Sequence, residues 1–213
     1  MRNLIVLEFM SLDGVVQAPV YADEDTSGRF EHGGWHPPYL DQRSMEWVVE
    51  NLSSAGGYVL GRRTYEVFAA HWPKASAEEQ ALAGPLNAKP KYVASRTLSV
   101  PLAWQNSTLL PGGVADAVAE LKRKGDDDLI LIGSSELAAT LLARDLVDEL
   151  RLMIDPLILG GGKRFWRDDG ACRSWVLAKG ETTSTGAILA TYLRSNASSE
   201  AAKPLPRPPE ARI

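Results

Sequence analysis

Short apolar runs of strand length alternate along this chain with segments of helical periodicity, and that alternation limits the possible folds more than any other feature. Leu4, Ile5, Val6 and Leu7 form the first run, followed by a long loop rich in Gly, Pro and Asp over residues 11–38. Met45, Val48, Val49 and Leu52 then fall at i, i+3, i+4 and i+7, the spacing of an amphipathic helix. Tyr58, Val59 and Leu60 make a short strand leading into a helix over 64–70, and Tyr92, Val93 and Ala94 make another strand after Pro90. Val114, Val118 and Leu121 mark a helix that stops near Gly125. Leu129 to Ile132 is again a continuous apolar strand, with Leu137, Leu141 and Leu142 on the helix after it. A long strand is expected over 150–159, and a hairpin from 175–177 and 188–193. Strands alternating with helices require a largely parallel sheet covered on both faces, and the terminal hairpin adds antiparallel pairing. The fold class is α/β with a mixed, mostly parallel sheet.

With 213 residues and no internal repeat, one domain over residues 1–195 is expected. Four prolines, Pro204, Pro206, Pro208 and Pro209, set off residues 196–213 as a proline-rich, flexible tail. Twenty-three basic against 27 acidic side chains give a formal charge of -4, which repels a polyphosphate and argues against nucleic-acid binding. No stretch approaches the roughly 18 apolar residues of a membrane span, so no membrane partner and a cytoplasmic location are expected. No metal site is expected either. Cys172 is the single cysteine, and the i, i+4 pair His32 and His36 is broken up by Gly33, Gly34 and Pro37.

Chemistry in an open α/β sheet is sought beyond the carboxyl ends of the strands. Three ends carry glycine, hydroxyls or arginine. Gly61, Arg62, Arg63 and Thr64 follow one strand, Ser95, Arg96 and Thr97 a second, and Gly133, Ser134, Ser135 and Glu136 a third. Guanidinium groups, hydroxyls and helix N-termini are what a phosphate needs, although Ser134 or Ser135 would serve equally as a plain helix cap. The better-known nucleotide loops are absent: Phe165 stands where Gly160 and Gly162 would need a third glycine, and Lys163 is followed by Arg164 rather than a hydroxyl. Asp13 and Gly14 after the first strand read either as a turn or as a ligand-facing pair.

These pieces, in this order, resemble the dihydrofolate-reductase-like superfamily, and more closely the reductase domain at the C-terminus of bacterial riboflavin-biosynthesis deaminase-reductases. The likeness spans about residues 2–194 and rests on Ser11-Leu12-Asp13-Gly14, Gly61-Arg62-Arg63-Thr64-Tyr65-Glu66, Ser95-Arg96-Thr97, Gly133-Ser134-Ser135-Glu136-Leu137 and Pro156-Leu157-Ile158-Leu159-Gly160. The resemblance implies a three-layer fold with a C-terminal antiparallel hairpin, a homodimer, and NADPH as cofactor. It gives phosphate and adenosine contacts to Gly61, Arg62, Arg63, Thr64, Ser95, Arg96, Thr97, Gly133, Ser134, Ser135, Glu136 and Leu137, and places Asp13 and Gly14 beside the nicotinamide. Trp35-His36-Pro37-Pro38 resembles the segment before the first helix of dihydrofolate reductases, so Trp35 and Leu40 are expected in the substrate pocket. That family's carboxylate position is occupied by Leu40, with Asp41 one residue late. Asp41 is therefore the first candidate proton donor and Asp13 the second, with Glu46 and Glu50 in reserve. The zinc deaminase half of the riboflavin enzyme cannot be built from one cysteine. The expected activity is NADPH-dependent hydride transfer to a small nitrogen heterocycle, pteridine- or aminopyrimidine-like. The competing expectation is a non-catalytic protein that binds NADPH, a flavin or another aromatic ligand on the same fold.

Overall fold

The computed structural model describes residues 1–195, so the proline-rich segment 196–213 lies outside the described residues. Eight strands form one sheet: β1 (Leu4–Ser11), β2 (Gly57–Gly61), β3 (Lys91–Ala94), β4 (Ser107–Leu109), β5 (Leu129–Ile132), β6 (Glu149–Asp155), β7 (Trp175–Thr182) and β8 (Ile188–Arg194). Their order is β4-β3-β2-β5-β1-β6-β8-β7. The first six run parallel, with Leu4 opposite Leu129 and Ile5 opposite Glu149 across β1. β8 pairs antiparallel with both β6 and β7, as a hairpin at the end of an α/β chain must.

Five helices cover the sheet: α1 (Gln42–Ser54), α2 (Arg62–His71), α3 (Gln80–Ala88), α4 (Val114–Arg123) and α5 (Ser135–Leu142). Strand alternation sorts them onto two faces. Leu4 and Val6 of β1 pack with Val118 of α4 and Leu141 of α5, whereas Ile5 and Leu7 pack with Trp47 of α1, Tyr65 of α2 and Leu86 of α3. Strands buried on both sides explain why residues 4–7 and 129–132 read as unbroken apolar runs.

The structure departs from the sequence expectations in five places. β6 ends at Asp155 rather than running to 159, because Pro156 has no N–H to continue the ladder. α2 begins at Arg62, two residues before Thr64. The first strand of the hairpin continues to Thr182. Two elements were not expected at all: α3, whose interior Pro85 hides its helical pattern, and β4, which is three residues long. No helix among the described residues is long and apolar enough to cross a membrane.

Candidate active site

β2 and β5 are neighbours in the sheet, yet the helices that follow them, α2 and α5, pack on opposite faces. Such a divergence opens a crevice beyond the strand ends. Its two lips are tied together. Ser134 accepts a hydrogen bond from the Gly61 N–H at 2.9 Å, and its hydroxyl lies 2.8 Å from that of Thr64. Ser134 is left-handed at φ 59°, ψ 58° and makes no side-chain cap for α5, so the plain helix-cap reading does not hold for this residue. Its strained backbone is retained because the side chain bridges two strand ends. Gly61 has no room for a methyl group: a Cβ there would lie 2.5 Å from Ser134 Oγ.

A cavity of about 1010 Å³ opens from this crevice, at the upper end of the roughly 300–1,000 Å³ typical of small-molecule sites. All three predicted strand ends meet in it. Gly61, Arg62, Arg63 and Thr64, then Ser95, Arg96 and Thr97, then Gly133, Ser134, Ser135, Glu136 and Leu137 line its wall. The far half is apolar, with Leu40, Met45, Val48 and Leu52 at α1 and Leu82 and Leu86 from α3. Leu40 stands in this wall.

The cations differ in commitment. Arg62 lies 3.5 Å from Glu66 on the next turn, and Arg63 donates to Asp25 at 2.9 Å. Asp25 also accepts from Lys163 Nζ at 2.5 Å. Burial would raise its carboxyl, but Lys163 and Ser27 outweigh that and hold it at about 2. Arg96 has no ion pair among the described residues and lines the cavity with its charge uncompensated.

Four predicted residues stand elsewhere. Asp41 is the N-cap of α1 and not part of the cavity wall: its Oδ1 accepts the Ser44 N–H at 2.8 Å, and its Oδ2 accepts from the hydroxyl and N–H of Ser184. Ser184 first, then Ser44, hold its carboxyl well below the usual carboxylate range, the opposite of what a proton donor needs. Asp13 is likewise a structural carboxylate. It accepts from Ser11 Oγ, from the Leu159 and Gly160 N–H groups and from Arg164, which together overcome burial and hold it at about 2. It pins the glycine turn after β6 to the loop after β1. Gly14 sits beside the Trp166 side chain at φ +80°, and neither residue faces the cavity; Val16, Gln17 and Ala18 take that place. Trp35 is buried among Val15, Ala18 and Phe30, with its indole N–H donated to the Gln17 carbonyl at 2.8 Å, so it packs the loop rather than a ligand.

Three buried polar residues beside the cavity had no role in the sequence reading. Glu8 interrupts the apolar run of β1, and burial pushes its carboxyl up to about 8. That interruption was a visible signal. His36 lines the cavity with its Nδ1 2.7 Å from Asp155 Oδ2. No local pattern could reveal this pair, whose members are 119 positions apart. Glu8 Oε2, His36 Nε2 and Asp155 Oδ1 are buried without a hydrogen-bond partner. Among the described residues no group of three or more His, Cys, Asp or Glu could hold a metal ion.

The chain superposes on a protein ascribed to riboflavin biosynthesis from Shewanella sp. PV-4 with a TM-score of 0.63 at 22% identity, covering 91% of this chain and 99% of that one. It superposes on a pyrimidine reductase-like protein from Corynebacterium diphtheriae with a TM-score of 0.60 at 14% identity, covering 92% and 93%. At those identities the likeness shows the fold, which is dihydrofolate-reductase-like. In sequence it is 28% identical over 143 residues to the uncharacterized protein YyaP of Bacillus subtilis, covering 66% of this chain and 75% of that protein. The profile of one family matches residues 2–189, nearly all that the structure describes, and the chain belongs to that family, the RibD C-terminal domain family.

Proposed function

We propose that this protein is an NADPH-dependent reductase that transfers hydride to a small nitrogen heterocycle, of pteridine or aminopyrimidine type. The observation that carries the reading is the convergence of three strand ends, bearing Arg62, Arg63, Arg96 and seven hydroxyl or glycine positions, on one cavity whose other half is apolar. The donor set fits the cofactor. Its 2′-phosphate is a compact dianion suited to guanidinium forks, and Arg96 has a charge not spent on a neighbouring carboxylate. Bridging phosphates are suited to the paired N-termini of α2 and α5, where Gly133 at φ +56° turns the chain directly over Thr64. NADPH, when bound, supplies the hydride. The residues of the chain orient the nicotinamide and exclude water: the apolar wall from Leu40 to Leu52 offers a flat heterocycle a dry surface. Membership in the RibD C-terminal domain family and the likeness to a pyrimidine reductase-like protein support a reductase of this kind.

The test is NADPH oxidation by the full-length protein, followed by absorbance, against 7,8-dihydrofolate, other pterins and ribosylaminopyrimidines. At least one acceptor should raise NADPH consumption well above the acceptor-free rate, with turnover on the order of the 1–10³ s⁻¹ of ordinary enzymes. NADPH binding without consumption by any of them would leave a ligand-binding protein in place of a reductase.

A further inference from the structure

Asp41 and Asp13 are both engaged elsewhere, so the reductase reading, on which this inference rests, lacks a proton source. His36 and Asp155 supply one. His36 precedes the single helical turn Pro37–Tyr39, and its backbone is fixed on both sides: its N–H is donated to the Pro19 carbonyl at 3.0 Å and its carbonyl accepts from Tyr39 at 2.9 Å. The ring stacks on Phe9 of β1, 4.0 Å between centroids and 16° between planes, with the edge of Trp35 beside it. Asp155, the last residue of β6, holds Nδ1 at 2.7 Å, and the two side chains are 1% and 0% exposed. Nε2 therefore lies on the side of the ring away from Asp155, in a residue of the cavity wall, and no protein group meets it.

A merely structural pair has no reason to leave Nε2 and Asp155 Oδ1 both unsatisfied, since each orphaned buried atom is costly. An orientation set by a carboxylate on one ring nitrogen, with the other nitrogen buried and unpartnered in a residue of the cavity wall, is the arrangement of a proton-transfer histidine. We propose that His36 is the proton donor of this cavity and that Asp155 is its positioning residue.

The step balances. Hydride from the reduced nicotinamide forms a C–H bond at the acceptor carbon, the C=N π pair moves to nitrogen, and that nitrogen takes the proton from His36 Nε2. The nicotinamide ends oxidised, the heterocycle reduced by two electrons and the ring neutral, to be reprotonated from water. The Nδ1 proton stays on the ring throughout, donated to Asp155. Burial pushes the Asp155 carboxyl above its ordinary value while the His36 ring pulls it back down, so the two share one charge balance. Phe9 and Trp35 cover the ring without charge, and the other buried titratable group on the wall, Glu8, alternates with Phe9 along β1 and so faces the opposite side of the sheet.

Nitrogen NMR of the full-length chain labelled with ¹⁵N-histidine tests the pair without any substrate, the His36 signals being those lost in His36→Asn. Nδ1 should carry a slowly exchanging proton, and Nε2 should be the nitrogen that gains and loses one with pH. A ring fixed as the Nε2–H tautomer at every pH would overturn the proposal. With the best acceptor of the panel, His36→Asn should lower kcat by about 10²-fold, leave the Kd for NADPH unchanged, and remove the limb of the kcat pH profile that follows the donor. Asp155→Asn should lower kcat and reverse the tautomer seen by NMR. Wild-type turnover that survives His36→Asn would also overturn the proposal. A wild type that oxidises no NADPH would instead overturn the reductase reading, leaving the NMR result to decide the state of the ring.

Discussion

Glu8 is a carboxyl at a position of β1 where Leu4 and Val6 on the same face are fully buried hydrocarbon. Its pKa of about 8 against an ordinary 4.5 makes the folded chain hold a proton that the unfolded chain releases. Below about pH 4.5 both states hold it, between there and about 8 only the folded state does, and above 8 neither does. Stability should therefore fall as pH rises from 5 to 8, by an amount on the order of a few kcal/mol. Urea midpoints at pH 5 and pH 8 would show it, with Glu8→Gln markedly flattening the dependence; Asp13 and Asp25, held near 2, titrate below this window. Asp41 makes the contrasting case. Its loss in Asp41→Ala should lower the melting temperature by roughly 2–5 °C through the lost cap and leave turnover unaltered, whereas a large kcat loss at unchanged stability would return it to the site. Much of the cavity lining was legible residue by residue because arginine, hydroxyl and glycine stand together at three strand ends that meet in one place. The proton chemistry was not, since burial decides it: Glu8 and Asp155 look like any carboxylates until the sheet encloses them.

At the scale of elements, the junction of β2, α2, β5 and α5 depends on the absence of a side chain at Gly61. Gly61→Ala puts a Cβ 2.5 Å from Ser134 Oγ, and overpacking of this kind costs roughly 1–3 kcal/mol. The variant should unfold at lower denaturant and bind NADPH more weakly than wild type, because Ser134 and the start of α5 must shift together. Calorimetry and a binding titration on the same sample check it; weakened stability with full affinity would separate the junction from the cofactor site. α1, α2, α4 and α5 were readable from apolar spacing and caps. α3 was not, because Pro85 hides its pattern and its C-terminal end is held by the neighbouring strand: the buried ammonium of Lys91 on β3 donates to the carbonyls of Leu86, Asn87 and Lys89 and lies 4.3 Å over the Trp104 ring. β4 was missed for a related reason, being a strand only through its pairing with β3.

For the molecule as a whole, strand alternation was enough to fix the class, because two-sided burial of β1, β2 and β5 leaves no other way to cover them. Among the described residues, nothing pairs with the outer edge of the sheet at β7. β7 is an edge strand, and Val176 and Leu177 on it are 56% and 55% exposed, with Leu193 on β8 also exposed. A second copy of the same hairpin is the self-complementary cover a two-fold axis provides. We therefore predict a homodimer: light scattering should give twice the chain mass, and Val176→Asp with Leu177→Asp should give the monomer mass with the fold retained. The central claim, that the cavity at the β2/β5 divergence is an NADPH site, is tested most directly by fluorescence titration of the wild type and Arg96→Ala with NADPH and with NADH. Wild type should prefer NADPH, and Arg96→Ala should lose about 10- to 100-fold in NADPH affinity, the worth of one charged hydrogen bond of roughly 1.5–3 kcal/mol, while NADH binding stays as it was. Equal binding of the two nucleotides by the wild type, untouched by Arg96→Ala, would contradict it.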